Sequence, residues 1–360
     1  MQFRNYTLTQ LADYLSSKEF TNGKTIAITP LRAVSQMKNP KASASDIVLS
    51  IVFDENNEIL GYIGALPDMV NNIKCAWNSC WWVKPGTPAQ ISMKLFFMFI
   101  GNWQQKVLFS EMTPHTSKII EKLGFCRNVT TYGFRGYFRF PMAEILPQKK
   151  PFFKPIIPLL TVADKLLNFG LNLRDILISA KCSLRIEKVN LLNSADDIFI
   201  SKFNEHSPSK RNSLDFNWIS QNPWLIEPKI AQPDISKRYY FSYQTERFET
   251  AWVRFFDQQK QVGLVAYTIR DNSLKLPYVY CDRAYAKEIG NYFLAMLKTD
   301  KELASITTFH NALAEALKKR HSFIYKIVIP KYSAISKQLL NECKIDTPFF
   351  QMGDGDAIFT

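Results

Sequence analysis

Glu111 and His115 stand four positions apart, where the strand-like run KVLFSEM gives way to the helix-like run PHTSKIIEKL. A carboxylate and an imidazole are side chains that commonly move protons in enzymes, and a histidine titrates near neutral pH. This spacing at the end of a strand therefore suits general base catalysis. A glutamate that is only a solvated strand end and a histidine that is only a surface residue fit the same pattern, so both alternatives stay open.

A second segment that suits chemistry is VKPGTPAQIS, Val83–Ser92, between an apolar strand and an apolar helix. Free backbone N–H groups and the helix dipole let the start of a helix bind phosphate. Lys84 and Gln90 add polar side chains there, but Pro88 removes an amide donor. Each charge-assisted hydrogen bond that is lost costs about 1.5–3 kcal/mol, so we expect weakened phosphate binding.

Composition places these segments in a folded and basic chain. The 360 residues are 46% hydrophobic, 14% aromatic and 21% charged, which supports two packed cores and argues against long disordered segments. The net charge of +13 favours an anionic partner such as a nucleic acid, a membrane surface or a phosphorylated small molecule, although dispersed lysines are also typical of a solvated surface.

The same sequence gives two expectations about location. No run of about 18 uninterrupted apolar residues occurs, which predicts no transmembrane segment. The N-terminal run MQFRNYTLTQLADYL reads as a strand and a helix and lacks the apolar core of a signal peptide. We therefore expect a cytoplasmic protein.

Six cysteines are scattered along the chain, and the four histidines do not cluster. No Cys-x-x-Cys pair occurs, so the pattern predicts neither a zinc site nor a disulfide framework, and no metal cofactor is expected. The cysteines are Cys75, Cys80, Cys126, Cys182, Cys281 and Cys343.

The elements that would position Glu111 alternate in type along the first part of the chain. Two strands joined by a polar turn at 54–58 and a third strand precede the helical pattern AQISMKLFFMFIGNW. The strand KVLFSEM, a helix with Pro114 near its start and Gly124 at its end, and a closing strand follow. The order β-β-β-α-β-α-β predicts a mixed α/β fold.

Five prolines between Pro141 and Pro158 rule out a continuous helix there, and a short amphipathic helix can follow at about 160–171. We interpret 146–180 as a basic, proline-rich linker between an N-terminal domain at 1–145 and a C-terminal domain at 181–360. Its helix either packs between domains or forms a basic and apolar membrane-surface element.

The second half repeats the order of the first. Several strands, the helix AKEIGNYFLAMLKT, the strand SITTFH, the helix NALAEALKKR and the strand FIYKIVIP follow one another. The run FFQMGDGDAIFT is predicted as a final strand with a tight turn at Gly353–Asp356, which lacks the spacing of a calcium-binding EF-hand loop.

The run VLFSEMTPHTSKIIEKLGFCRN resembles the strand–helix–strand element of the GNAT acyltransferase superfamily, in which the ending Y-E-K-L-G-F is frequent. Upstream, EILGYIGALP and WWVKPGTPAQISMKLF are similar to that family's central hairpin, acyl-CoA strand and following helix. The likeness covers about 45–130, and the second half resembles the family only in element order. It implies an α/β (α+β) mixed sheet in two tandem GNAT-like acyltransferase domains, a doubled plan that Fem-type aminoacyl transferases share.

In such a fold two neighbouring strands splay apart and expose their backbone to an acyl-CoA thioester, which here would be acetyl-CoA or another acyl-CoA. The resemblance implies that a strand amide near Trp82 and Val83 holds the oxyanion. The loop departs from the family pattern R/Q-x-x-G-x-G/A, so it is expected to be degenerate. The implied acyl-CoA contacts are Trp82, Val83, Lys84, Gly86, Thr87, Ala89 and Gln90.

Ile120 stands where many members of the family have a tyrosine that protonates the leaving thiolate. An isoleucine has no proton to donate, so the predicted catalytic residues are Glu111 and His115.

The second half offers another place for the cofactor. Arg283 and Lys287 lie at the equivalent strand-to-helix junction, and Asn311 follows the next strand, where an asparagine often contacts the cofactor arm in the family. An ordinary helix N-cap is the alternative for Asn311.

The sequence therefore favours an acyl-CoA-dependent N-acyltransferase that acts on an amine of a small molecule, sugar or peptide. The alternatives are a catalytically weak or inactive GNAT-like binding protein, a Fem-type enzyme that uses aminoacyl-tRNA, and a structural α/β protein without a small ligand. The acceptor, the acyl group, the active half and the oligomeric state stay open.

Overall fold

The computed structural model describes residues 1–178, 180–227 and 233–359. They form two compact units, which are interleaved in sequence. Unit 1 comprises Met1–Thr131, Val189–Trp252 and Pro330–Thr360, and unit 2 comprises Tyr132–Lys188 and Val253–Ile329.

The predicted domains at 1–145 and 181–360 are continuous in sequence, whereas each of these units combines segments from different parts of the sequence. The division into two GNAT-like halves stays a prediction. Residue 179 of the predicted linker and residues 228–232 of the predicted second domain lie outside the described residues.

Unit 1 contains a mixed sheet in the strand order β1-β2-β3-β4-β5-β12, antiparallel except for the parallel pair β4 and β5. The strands are β1 (Gln2–Thr7), β2 (Ile47–Phe53), β3 (Ile59–Val70), β4 (Ile73–Val83), β5 (Val107–Met112) and the later part of β12 (Tyr325–Ser336). The helices are α1 (Leu11–Ser16), α2 (Lys18–Asn22), α3 (Pro30–Met37), α4 (Ala89–Asn102), α5 (Pro114–Leu123), α8 (Ser194–Ser201), α9 (Ser213–Gln221), α10 (Pro233–Arg238), α13 (Lys337–Cys343) and a 3-10 turn at Ala357–Phe359.

Unit 2 contains strands in the order β6-β11-β10-β9-β8-β7, of which β10 and β11 are parallel. The strands are the later part of β6 (Cys126–Tyr137), β7 (Arg185–Val189), β8 (Phe248–Asp257), β9 (Lys260–Arg270), β10 (Ser273–Cys281) and β11 (Ser305–Thr308). The helices are α6 (Met142–Lys149), α7 (Ile157–Leu177), α11 (Ala286–Thr299), α12 (Asn311–Lys318) and 3-10 turns at Pro151–Ile156 and Arg283–Tyr285.

Each unit is closed by a strand from the other half of the sequence. In unit 1, β5 pairs antiparallel with β12 through Leu108↔Ile335 and Phe109↔Ala334. In unit 2, β11 pairs antiparallel with β6, from Ser305↔Tyr137 to Thr308↔Phe134. Because a strand needs a hydrogen-bonding neighbour to be stable at a sheet edge, neither half of the sequence completes its own sheet.

The predicted mixed α/β architecture is confirmed, and so is the predicted order of elements from β2 to β6. The helix α5 ends at Leu123 because Gly124 follows it with φ +72°. The N–H of Gly124 donates to Glu121 O. Glycine adopts this left-handed conformation without a steric penalty. At the other end, Thr113 caps the helix by accepting a hydrogen bond from Thr116 N.

Two predicted elements differ from the structure. The terminal strand predicted in FFQMGDGDAIFT is wrong, because residues 352–356 form turns that lead into the 3-10 turn Ala357–Phe359. Asp354 Oδ2 accepts a hydrogen bond from Gln351 N at 2.8 Å, and Gly355 has φ +77°, so the chain bends where a strand would be extended. The helix predicted at about 160–171 is longer, Ile157–Leu177.

One stretch of the described residues, Pro151–Leu177, is long and apolar enough to cross a membrane by length and composition alone. A search for uninterrupted apolar runs misses it because Asp164 and Lys165 break the run. The expectation of no such segment therefore does not hold for this stretch.

The core of unit 1 contains a buried ionic cluster around Asp68 on β3. Lys41 Nζ lies 2.8 Å from Asp68 Oδ1 and 3.1 Å from Asp215 Oδ2. Trp77 Nε1 and Ser209 Oγ donate to Asp68 Oδ2 at 2.8 and 3.0 Å. Burial alone would raise the pKa of Asp68, but the cations Lys41 and Arg211 and these hydrogen bonds hold it at about 2.

Replacing Asp68 by Asn should lower the free energy of unfolding by about 3 kcal/mol, because it removes one partner of a buried charge. The pKa of Asp68 lies below its usual 3.8, so its stabilisation is present above pH 4 and falls away between pH 4 and pH 2, by about 2 kcal/mol in total. Urea unfolding at several pH values measures both. Asp234→Asn, which removes a carboxylate that is 73% exposed and paired with Arg238, is the matched control and should change stability by less than about 0.5 kcal/mol. Equal effects of the two substitutions would contradict the assignment.

Candidate functional site

The parallel strands β4 and β5 are paired only at their beginnings. The ladder consists of Ala76↔Val107 and Trp77↔Leu108, although β4 continues to Val83 and β5 to Met112. Beyond the pair Trp77 and Leu108, β4 and β5 form no further backbone pairs with each other. The opening that the family resemblance implies is therefore confirmed in unit 1.

Both strands carry a β-bulge where they separate. On β4 the partners pass from Gly64↔Cys80 to Ala65↔Asn78, which leaves Ser79 as the extra residue. A Cβ on Gly64 would lie 2.6 Å from Ser79 Oγ, so a larger residue beside this bulge would force a neighbouring side chain to move. On β5, the two residues between Phe109 and Met112 oppose the single residue Ser333 of β12, and Glu111 within this bulge has φ +51°. Bulges redirect side chains and end pairing, which explains why the strands part here.

A cavity of about 270 Å³ fills the space beside the separated strands. Its walls are residues 78–81 of β4, 110–112 of β5, Thr113 and Thr116 of α5, Phe241, Ser242, Arg32 and Asp356. Two polar atoms of its lining residues, Ser110 Oγ and Arg32 Nε, are buried without a hydrogen-bond partner among the described residues. Such groups in a native site usually bind water or a ligand.

Among the described residues, Asp356 and Arg32 are two of the three charged ones that line the cavity, together with Glu111. Arg32 Nη1 lies 4.0 Å from Asp356 Oδ2, and their side chains are 6% and 18% exposed. Burial raises the pKa of Asp356 to about 7, and the charge of Glu111 acts in the same direction, while Arg32 opposes it. The guanidinium of Arg32 stacks over Trp224 at 4.3 Å and over Tyr239 at 5.2 Å, which holds it in place.

Two buried cations hold the turn that presents Asp356. Lys331 Nζ donates to the carbonyl oxygens of Gln351 and Met352 at 2.9 and 2.6 Å, and burial lowers the pKa of this lysine. Arg211 donates to the carbonyl oxygens of Gly353 and Gly355 at 3.2 and 2.6 Å. The position of Asp356 is therefore fixed through the backbone of the residues that precede it.

Of the two predicted catalytic residues, the structure brings only one to the cavity. Glu111 lines it at the β5 bulge. His115 is exposed on α5 and is not one of the lining residues. Ile120 is fully buried and packs in the hydrophobic core of unit 1.

The predicted acyl-CoA residues lie along the end of β4 and the loop to α4. Lys84, Gly86, Ala89 and Gln90 are exposed, while Val83 and Thr87 are half-buried. Gly86 has φ +86°, and Thr87 N donates to Lys84 O at 3.1 Å, which makes the loop a tight turn. α4 begins after Pro88 without a side-chain cap, so its first free amides are those of 89 and 90.

The ladder between β3 and β4 decides which amides of β4 face the opening. Lys84 N donates to Leu60 O at 2.8 Å, so the alternation of an antiparallel pair also turns the Trp82 amide toward β3. The amides of Trp81 and Val83 are left on the other edge of the strand. The side chain of Trp82 packs against Tyr62, with ring centroids 5.4 Å apart.

Unit 2 also contains one pair of parallel strands, and the two strands differ in length. β10 and β11 are paired from Ser273↔Ser305 to Leu276↔Thr308, while β10 continues to Cys281. A register shift between Lys275 and Tyr278 marks a bulge on β10 at the same relative place. The stretch without a parallel partner therefore lies on β10 alone, because β11 ends at Thr308, where the pairing ends.

The residues predicted for the second cofactor site are exposed. Arg283 forms an ion pair with Glu315 at 2.6 Å, and Lys287 and Asn311 lie on the surface. The N-cap of α12 is His310, whose Nδ1 accepts from Leu313 N at 3.4 Å, so the alternative role of Asn311 as the cap is wrong. Burial lowers the pKa of His310 to about 4, which keeps the imidazole neutral and able to accept.

Sequence reasoning missed Arg32 and Asp356. Asp356 belongs to the GDGD run, whose sequence pattern predicts only a tight turn. Two acids in a glycine turn near many aromatic residues are a weak signal for a site, and nothing around Arg32 in the sequence indicates its role. Both reach the cavity by tertiary packing of separate segments of unit 1.

The strain at Glu111 can be tested by comparing two variants that both lack the carboxylate. A residue other than glycine at φ +51° costs about 1 kcal/mol, so Glu111→Gly should be more stable than Glu111→Ala by about that amount. Chemical unfolding of the two proteins measures the difference. A Glu111→Gly protein that is less stable than Glu111→Ala would show that the bulge is not strained.

No protein-family model matches this sequence, and no curated protein matches it. Solved structures are similar to it with low identity. A GCN5-related N-acetyltransferase from Anabaena variabilis ATCC 29413 is 10% identical, with 92% of this chain and 72% of that chain covered and a TM-score of 0.47. A tandem GNAT protein from the clavulanic acid biosynthesis pathway is 10% identical, with 93% and 98% covered and a TM-score of 0.47. A putative acetyltransferase from Pyrococcus horikoshii is 8% identical, with 98% and 95% covered and a TM-score of 0.47.

Proposed function

We propose that the protein is an acyl-CoA-dependent N-acyltransferase whose reaction takes place between β4 and β5 of unit 1. One observation supports this most directly. The two parallel strands part beyond Trp77 and Leu108, and the space beside them contains a carboxyl group, Asp356, whose pKa is close to neutral.

The donor would lie along the open edge of β4. The amides of Trp81 and Val83 face that edge and are suited to hold the thioester oxygen as negative charge develops on it. The diphosphate would lie at the start of α4, near Lys84 and Gln90, where free amides and the helix dipole attract it. Pro88 leaves this site one donor short, so the acyl arm would supply much of the binding energy.

The acceptor amine would enter the cavity beside Asp356. The carboxylate takes the proton of the amine as its nitrogen attacks the thioester carbon, a C–N bond forms, and the C–S bond breaks to release the CoA thiolate. A pKa of about 7 leaves Asp356 partly deprotonated at neutral pH and basic enough to accept this proton. The free hydroxyl of Ser110 is available to orient the acceptor.

Wild-type protein should bind CoA or acetyl-CoA in isothermal titration calorimetry. Thr116→Trp, which fills the cavity from the first turn of α5, should reduce the affinity at least 10-fold. Asn311→Trp, at the first turn of α12 in unit 2, is the matched control and should bind as the wild type does.

The pattern across the three proteins separates the outcomes. Loss of binding in Asn311→Trp alone would move the donor site to unit 2. An absence of heat and of any thermal shift for the wild type at millimolar ligand would reject the acyl-CoA proposal itself.

Asp356→Asn should lower kcat/KM at least 100-fold, the usual range for loss of a general base. Because the base must be deprotonated, kcat/KM of the wild type should rise with pH up to about 7 and then level off. The variant should lose this rise. Asp234→Asn controls for loss of a carboxylate elsewhere, and a rise that persists in Asp356→Asn would assign the proton transfer to another group.

A Fem-type reaction with aminoacyl-tRNA is the second candidate, favoured by Pro88 at the N-cap of α4 and the net charge of +13. tRNA binding measured at two salt concentrations distinguishes it. Affinity that falls steeply with salt would support this candidate, and absent or salt-independent binding would reject it.

A further inference from the structure

The helix α7, with the 3-10 turn Pro151–Ile156 before it, has its polar and apolar faces reversed. In a water-soluble protein the apolar side of a surface helix faces the core and the polar side faces water. Here the polar side chains of α7 bind other parts of unit 2, and large apolar side chains face outward. The apolar 18-residue window of this stretch has no buried residue.

The inward face is fixed first by Asp164 and Asn168. Asp164 accepts hydrogen bonds from the backbone N–H groups of Met142 and Ala143 at 3.0 and 2.8 Å. Asn168 accepts from Phe140 N at 2.8 Å and donates to Phe140 O at 3.0 Å. These contacts attach the middle of α7 to the chain that leaves β6.

The end of α7 is fixed in the same way. Asp175 is almost completely buried and lies 2.8 Å from Arg139 Nη2 and 3.1 Å from Lys301 Nζ. Arg174 donates to Ser322 O at 2.8 Å and to Phe138 O at 3.2 Å. Over more than two turns the polar residues therefore bind unit 2 and are not available to a partner.

The outward face is apolar along its whole length. Its side chains follow each other at steps of three and four residues, the spacing of one helix face. The most prominent are Leu159, Leu166, Phe169, Leu173 and Ile176, which are 63–74% exposed, and Phe152 in the 3-10 turn, which is 80% exposed. A continuous apolar patch of this kind marks an interaction surface.

The charges around this patch select the partner. Lys149, Lys150, Lys154 and Lys165 are all exposed on this segment. The acidic residues between 146 and 178 are Asp164 and Asp175, and both are held inward. The exposed charge is therefore positive throughout, which complements an anionic surface and would repel a second copy of the same face.

We propose that α7 and the turn before it bind the surface of an anionic membrane, with the apolar side chains among the acyl chains and the lysines at the level of the lipid phosphates. The segment is long enough to cross a bilayer, but crossing would break its contacts with unit 2. It would also place the side chains of Asp164, Asn168 and Asp175 in hydrocarbon, where unpaired polar groups are strongly disfavoured. An orientation in the plane of the membrane keeps every one of these contacts.

Flotation of the full-length protein with vesicles tests this. Vesicles of phosphatidylcholine with about 30 mol% phosphatidylserine should carry the protein upward, and pure phosphatidylcholine should carry much less. The double substitution Leu166→Ser and Phe169→Ser should reduce partitioning at least 100-fold, because each buried side chain contributes a factor of about 10 or more. Replacing Lys149, Lys150 and Lys154 by Gln should reduce it about 100-fold on anionic vesicles only.

The matched control is the double substitution Ile198→Ser and Leu214→Ser. These side chains are 67% and 68% exposed on α8 and α9, and the control should partition as the wild type does. Failure of the wild type to float with anionic vesicles, or an equal loss in both double variants, would overturn the proposal. A wild-type dimer that the Leu166/Phe169 variant converts to a monomer, without vesicle binding, would assign the face to a second copy.

Amide hydrogen exchange of the wild-type protein, measured with and without vesicles, tests the proposal without any variant. Its result therefore does not depend on whether the variants fold. Amides of 152–177 should exchange more slowly when anionic vesicles are added, while those of 248–257 should not change. Unaltered exchange in 152–177 would overturn the proposal whatever the variants do.

Discussion

Unit 1 depends on the interactions of one buried carboxylate, that of Asp68. It accepts from Trp77, which lies at the last residue pair before β4 and β5 separate. It also binds Ser209 and Lys41, and through Lys41 it connects with Asp215 of α9. Because charges in a dry interior tolerate few arrangements, this cluster fixes the base of the opening and the segment 189–252 together. That segment supplies Phe241 and Ser242 to the cavity walls.

Two buried aspartates of this unit have pKa values displaced in opposite directions, and their surroundings explain why. Asp68 has an ammonium at 2.8 Å and two neutral donors, so its charged form is compensated and its pKa is about 2. Asp356 has its cation at 4.0 Å and the like charge of Glu111 nearby, so burial dominates and its pKa is about 7. The first arrangement favours stability, whereas the second keeps a proton exchangeable at neutral pH. Glu111, which lines the same cavity, also has a strained backbone with φ +51°, and such strain is found more often at functional sites than in a stable core.

The sequence predicted well what local chemistry determines. Alternating apolar residues located β2, β3 and β4, and Pro114 with Gly124 located both ends of α5. It could not show that β5 would pair with β12, because strand patterns carry no information about a partner more than 200 residues away. For the same reason Glu111 could be proposed from its place at a strand end, but Asp356 and Arg32 could not. They reach the cavity only through long-range packing.

The helix α7 shows a related limit. A period of 3.6 residues predicts that a helix is amphipathic but does not say which face points inward. The usual assumption places apolar residues in the core, and it fails here because four polar side chains form hydrogen bonds with the body of unit 2. Once those partners are present, turning the helix over would bury apolar surface at the expense of several buried hydrogen bonds and the ion pair of Asp175. The hydrogen bonds and the ion pair on the inward face of α7 therefore hold the helix in this reversed orientation. The apolar face of α7 therefore remains exposed, where it can contact a partner with an apolar interior.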